Sequence, residues 1–169
     1  KVSLQIIDQT LNTYLIINGT TENKTIELGN TLTMTLIAKN TGNIDYKDIT
    51  LKTIVNSEPI DILNWTNIQD EYYGQIEKSD LGKEIIWTKN DIPALANLGP
   101  NEEISHTFTL PIKNYEQLKS NNIASLGKST IKLYSAIELP EMIDTAKNSI
   151  SSGEVTLTLN SNINVGTKA

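Results

Sequence analysis

A period of two governs the apolar residues of this chain. Leu32, Met34, Leu36 and Ala38 fall on one side of an extended segment, and Thr31, Thr33, Thr35 and Lys39 on the other, the pattern of a strand with one face buried and one in water. The alternation returns at Ile104, His106, Phe108, Leu110 and Ile112, set against Ser105, Thr107 and Thr109. It recurs at Val2, Leu4 and Ile6, at Ile49, Leu51 and Val55, at Ile131, Leu133, Ile137 and Leu139, and at Val155, Leu157 and Leu159. A helix would scatter such residues around its circumference, so the chain must bury them in sheets. Corners separate the strands. Asn18-Gly19 suits a tight hairpin because both residues tolerate positive φ, and Leu28-Gly29-Asn30 makes the next corner. Asn40-Thr41-Gly42-Asn43 closes the Leu32 strand, where Gly42 and the asparagines can accept left-handed backbone. Pro111 lacks an amide hydrogen, which places it at a strand end or on an edge.

Many short strands with turns roughly every 8 to 12 residues predict an all-β fold, an antiparallel Ig-like β-sandwich of about 7–9 strands with one long insertion loop. The insertion is the polar segment 56–83. It carries Trp65, Tyr72 and Tyr73, so it is expected to fold against the sandwich. "NYEQLKSNN" (114–122) predicts a helical turn or a long loop, and "PEMIDTAK" (140–147) has a proline suited to a short helix start. The sandwich is expected to occupy 1–160 as a single domain, with 161–169 a polar linker, and the whole to be a piece of a longer protein.

Composition removes several function classes. The net charge is −6 and arginine is absent, so the chain has neither the electrostatic footprint of a nucleic-acid binder nor the commonest bidentate reader of guanine and phosphate. There is no cysteine, which excludes thiol catalysis, zinc–thiolate sites and disulfides. The longest apolar runs are short, as in Tyr14 to Ile17, against the roughly 18 to 20 residues that span a bilayer. Direct membrane insertion of this fragment is not expected.

Two blocks carry a family likeness. "IELGNTLTMTLIAKNTGNIDYKDITLK" and "IIWTKNDIPALANLGPNEEISHTFTLPI" together resemble the conserved-repeat Ig-like domain family of bacterial and archaeal surface proteins. The family's glycine corner falls on Leu28-Gly29, its "NtG" strand end on Asn40-Thr41-Gly42, and its following strand on Asp48-Ile49-Thr50-Leu51. Its second corner falls on Leu98-Gly99-Pro100-Asn101-Glu102, with the Pro-Gly order reversed. The likeness covers residues 25–113. It implies an extracellular, cell-surface or wall-attached modular protein whose units serve as spacers, stalks or adhesion modules. Their partners are neighbouring domains of the same chain, other surface proteins or glycans. It implies no catalytic residue and no cofactor.

Candidate sites stand beside plainer readings. His106 is the only histidine and lies on the apolar side of its strand, the place of a packing residue; no "GxSxG" accompanies it. Asp45 and Asp48, Asp70 and Glu71, and Glu102 and Glu103 could supply calcium oxygens, but none has EF-hand spacing, and calcium needs about 6 to 8 oxygens brought from several loops, so solvated loop carboxylates are the plainer reading. Sequons at Asn18, Asn23 and Asn64 match what this composition gives by chance. Trp87 sits in an alternating strand and reads as core, whereas Trp65, Tyr72 and Tyr73 form the candidate ligand surface, for a glycan or with calcium. An internal Lys–Asn isopeptide bond would need a buried, deprotonated lysine, and the lysines fall mostly on polar faces. The leading expectation is a non-enzymatic structural or adhesion module; the alternative is a ligand-binding module using 56–83.

Overall fold

In chain order the strands are β1 (Leu11–Ile17), β2 (Lys24–Ile26), β3 (Thr31–Asn40), β4 (Tyr46–Lys47), β5 (Thr50–Glu58), β6 (Gln75–Ser79), β7 (Gly82–Trp87), β8 (Asn97–Leu98), β9 (Glu103–Pro111), β10 (Thr130–Glu138), β11 (Ser149–Ser151) and β12 (Val155–Leu159). The computed structural model describes residues 10–68, 74–140 and 149–160. The Val2–Ile6 alternation, all of the 140–147 segment beyond Pro140 and the tail after Asn160 lie outside these residues. Two sheets stack face to face: β1-β3-β9, and β2-β12-β10-β5-β7-β6 with β11 also on β10, while β4 and β8 make a small pair of their own. The all-β sandwich is therefore present. Eight of the twelve described strands have five or more residues, and the other four are fragments of two or three.

Alternation does what the sequence demands. In β3 the even-numbered residues Leu32 to Asn40 are buried and the odd ones are exposed or half-buried. In the facing register Met34 lies opposite Phe108 and Ala38 opposite Ile104. From the larger sheet Leu51, Val55, Ile85, Trp87, Leu133 and Ile137 close the core. Pro111 ends β9 on the sheet's edge, and its carbonyl accepts Asn64 N–H at 2.9 Å. A mid-strand position would have cost a ladder bond there.

Three details differ from the simplest sandwich. The first is that β2 and β12 run parallel, Lys24 against Leu157 and Ile26 against Leu159. The second is that the 56–83 segment is not one loop. Ile62 and Leu63 are fully buried in it, and β6 and β7 form a hairpin that widens the larger sheet. The third is that no residue of the Asn40–Asn43 corner takes positive φ; Asn18, Gly19, Gly29, Asp48, Gly82 and Asn101 do. Gly42 is needed for room instead, because a Cβ there would stand 2.7 Å from Thr10 Cβ. The 114–122 stretch opens with a helical turn, Tyr115–Leu118, under a capping box in which Asn114 Oδ1 accepts Gln117 N–H and Gln117 Oε1 accepts Asn114 N–H.

The strands share one axis, so the sandwich has two poles. At the first, Thr41 N–H donates to the Thr10 carbonyl, Ile49 N–H to Leu95, and Thr50 pairs with Glu138. At the second, Ile112 N–H donates to Asn30, Thr130 pairs with Glu58, and Asn160 N–H donates to Ile26. The described chain thus enters at one pole and leaves at the other.

Two energetic points follow from single residues. Thr53 is fully buried between the sheets, and its Oγ1 has no hydrogen-bond partner among the described residues. Thr53→Val, which keeps the shape and removes the orphan hydroxyl, should raise the unfolding free energy by about 1 kcal/mol in urea titration. On the outer face of the larger sheet, Lys52 Nζ lies 2.7 Å from Glu138 and 3.3 Å from Glu84. Burial pulls the Lys52 pKa down, but the two carboxylates outweigh it and hold the ammonium above the usual 10.5. Burial, then Glu84 and Glu154, likewise raise the Tyr134 phenol above 10.0. Both groups hold their protons more tightly folded than unfolded. Their stabilisation is complete below pH about 10 and is lost as pH rises through the folded-state values. The urea midpoint should therefore fall in strong alkali, and less steeply in Lys52→Met.

Candidate functional site

The candidate surface is a cleft built where β5 runs out. Glu58-Pro59 is a cis peptide, and Ser57 Oγ ties the turn by donating to the Ile60 carbonyl and accepting Ile62 N–H. That places Asp61 within hydrogen-bond reach of the 3₁₀ turn Trp65–Asn67. Asp61 collects donors: Leu63 N–H at 3.1 Å and the Trp65 indole N–H at 2.9 Å, with Lys83 Nζ at 3.4 Å. The Lys83 ammonium lies 4.2 Å from the centre of the Trp65 ring, a cation–π contact as well as an ion pair. Lys113 Nζ donates to the Asp61 carbonyl at 2.7 Å. Lys83 reaches this place because Gly82, at φ +129°, presses the β6–β7 tip on β5; a Cβ would stand 2.4 Å from the Val55 carbonyl oxygen.

The resulting cleft holds about 270 Å³ and is lined by Val55 to Glu58, Asp61, Trp65, Lys78 to Asp80, Gly82 and Lys83. It offers an indole edge, two hydroxyls, three carboxylates and two ammonium groups, a set suited to hydrogen bonding a polyhydroxylated ligand. It is not an acid–base pair, since the Asp61 carboxylate already accepts from three groups. The indole N–H and one ring face are likewise engaged. Of the three aromatic residues expected here, Trp65 lines the cleft, while Tyr72 and Tyr73 lie outside the described residues. Lys83, the residue that fixes the ring, has no local signal because it stands eighteen residues beyond Trp65, across a hairpin whose first strand, β6, shows no apolar alternation.

The other candidates settle into the fold. His106 packs edge-on to Trp87 at 5.1 Å between ring centres and lies parallel to Phe108 at 6.1 Å. Glu102 folds back to accept Gly99 N–H at 2.6 Å, Glu103 faces Lys39 at 3.8 Å, and Asp48 faces Lys89 at 2.8 Å. Asp70 and Glu71 lie outside the described residues. Among the described residues no group of three or more His, Cys, Asp or Glu is placed to hold a metal ion. The sequon asparagines are occupied by turn and strand contacts. Asn18 Oδ1 accepts Thr33 N–H, Asn23 Oδ1 accepts Thr156 N–H, and Asn64 is buried with Oδ1 accepting from Thr66. Lys52, enclosed by two carboxylates, is held in its charged form, the opposite of what isopeptide chemistry needs.

The signature corner also turns inward. Asn40 is fully buried, and its side-chain nitrogen donates to the carbonyls of Ile44, Leu98 and Gly99 at 2.7, 3.1 and 3.0 Å while Oδ1 accepts Gly42 N–H. One amide thereby joins the "NTGN" corner to the "LGPNE" corner.

No family model matches the chain, and no curated protein matches it in sequence. Among solved structures, AvmM, which catalyses macrocyclization in alchivemycin A biosynthesis, matches with a TM-score of 0.51 and 12% identity over 90% of each chain. The two share a fold. A CARDB domain from Pyrococcus furiosus, in complex with di-metal ions, matches at 0.46 with 11% identity over 89% of this chain and 93% of that one. The seventh ScaB type I cohesin of Pseudobacteroides cellulosolvens matches at 0.39 with 12% identity, over 91% and 96%.

Proposed function

We propose that this domain is a non-enzymatic structural or adhesion module of a modular extracellular surface protein, a spacer or stalk unit set in line with its neighbours. The observation that carries this reading is that the first and last described residues stand at opposite poles. Thr10 is anchored at the first pole and Asn160 at the second, so copies joined in series would add along the strand axis. The signature corners support it too, since Asn40, Gly42 and Glu102 are engaged in folding contacts. Small-angle X-ray scattering on one, two and three fused copies tests the arrangement. The maximum dimension should grow by roughly 35 Å per copy, about the length of the ten-residue β3; arrays that pack side by side would overturn it. Surface placement is tested by protease shaving of intact cells, with release of peptides from this domain expected and full protection counting against it.

A second reading, a glycan-binding module, is favoured by the Trp65 cleft. Glycans that enter it should change the tryptophan emission and lose this effect in Trp65→Ala. A glycan array without a hit removes that reading.

A further inference from the structure

We infer that the domain is a shear-loaded mechanical clamp, in which the parallel β2–β12 pair and the β1–β3 ladder together resist tension applied through the chain ends. The inference rests on the in-line reading above and adds what the module does under load.

The direction of each ladder decides the matter. Tension applied between Thr10 and Asn160 draws the first outward at the first pole and the second outward at the second, along the strand axis. β1 begins at the first pole and runs its seven residues toward the second, paired all the way with β3 from Leu11 opposite Asn40 to Ile17 opposite Met34. Pulled from its first residue, it must slide along β3, so the inter-strand bonds carry the load at once and not one after another. The first anchor is doubled: the Thr10 carbonyl accepts from both Thr41 N–H and Thr41 Oγ1, at 2.7 and 3.0 Å.

The exit strand is held the same way on both flanks. β12 lies between β10 and β2. If β1 yields, tension passes through the Asn18-Gly19 turn to the first residue of β2, which faces the first pole, while β12 is drawn by its last residue through the second. Because β2 and β12 are parallel, these loaded ends lie at opposite poles and the pair is sheared. Were they antiparallel, the loaded ends would meet at one pole and the bonds would open in sequence. Two contacts bracket the pair, Thr156 N–H to Asn23 Oδ1 and Asn160 N–H to the Ile26 carbonyl, each at 2.8 Å. This assigns a role to the short β2, whose three residues would add little to a sheet that carried no load.

Single-molecule force spectroscopy tests the clamp, and the absence of native cysteine lets thiol handles be placed at will. The intact sequence is pulled in two geometries at one speed. In the first the handles are at the chain ends. In the second, one handle is on Glu27→Cys, an exposed position just past β2, and the other at the C-terminus, so both loaded ends of β2 and β12 lie at the second pole. The end-to-end geometry should rupture at several-fold higher force, and Asn23→Ala should lower that force while leaving the chemical-denaturation midpoint nearly unchanged. Equal rupture forces in the two geometries overturn the clamp. Equal forces together with arrays that still lengthen by one strand length per copy would leave the spacer reading standing without it, whereas side-by-side arrays would remove the spacer reading whatever the forces.

Discussion

Trp87→Ala should lower the unfolding free energy by about 4 kcal/mol and the melting temperature by about 8 to 16 °C. Trp87 is 1% exposed and lies opposite Leu51 in the larger sheet. Its ring crosses to the smaller sheet, with centres 4.8 Å from Phe108 and 5.1 Å from His106. An alanine would leave a cavity between two rigid ladders that cannot collapse on it, which is why the loss belongs at the upper part of the range for aromatic truncation. Trp87→Phe should lose much less, because most of the ring volume and the contact with Phe108 remain. A loss below about 1 kcal/mol in Trp87→Ala, measured by guanidinium titration, would mean that the layers are not held as described.

Asn40→Ala should cost about 3 kcal/mol, since it takes a donor from the carbonyls of Ile44, Leu98 and Gly99, of which Gly99 keeps Glu102 N–H, and the acceptor from Gly42 N–H. The side-chain nitrogen carries two hydrogens for three acceptors, so one hydrogen is shared. Asn40→Asp sharpens the test. It keeps the acceptor for Gly42 but turns an oxygen toward the carbonyls of Ile44, Leu98 and Gly99, and should be at least as damaging as alanine. If aspartate were tolerated, the donor role of Asn40 would be wrong. The same residue shows why a corner motif can be mistaken for a loop that binds. Its polar letters face carbonyl groups of the same chain, on two segments nearly sixty residues apart.

How legible the fold was depends on whether a strand carries a buried face. β3 and β9 could be assigned residue by residue, down to which side His106 takes, because one face is in the core and the other in water. β6 could not, since all but its last residue are exposed and an edge strand needs no apolar alternation. β2 was hidden for another reason: three residues give no period, and their partner lies some 130 positions away. The Asn18-Gly19 hairpin followed from local backbone preference and is found with φ of +48° and +80°. The Asn40–Gly42 corner did not, because its glycine answers to the Thr10 side chain across the sheet, a contact that no local rule contains. The candidate ligand surface was legible only as one aromatic residue. Trp65 was found, but the Asp61–Lys83 pair that orients it joins positions in register only once the hairpin has formed.

The ammonium seated over Trp65 has an optical consequence. The chain has two tryptophans in opposite settings: Trp87 in a dry interlayer, and Trp65 half-buried beside a charge delivered by the tip of β6–β7. Their emission bands should differ in colour, and only the redder one depends on where that tip rests. A lifting of the hairpin would shift one band and leave the other in place, so the protein is its own two-channel indicator of local opening against global melting, with no dye attached.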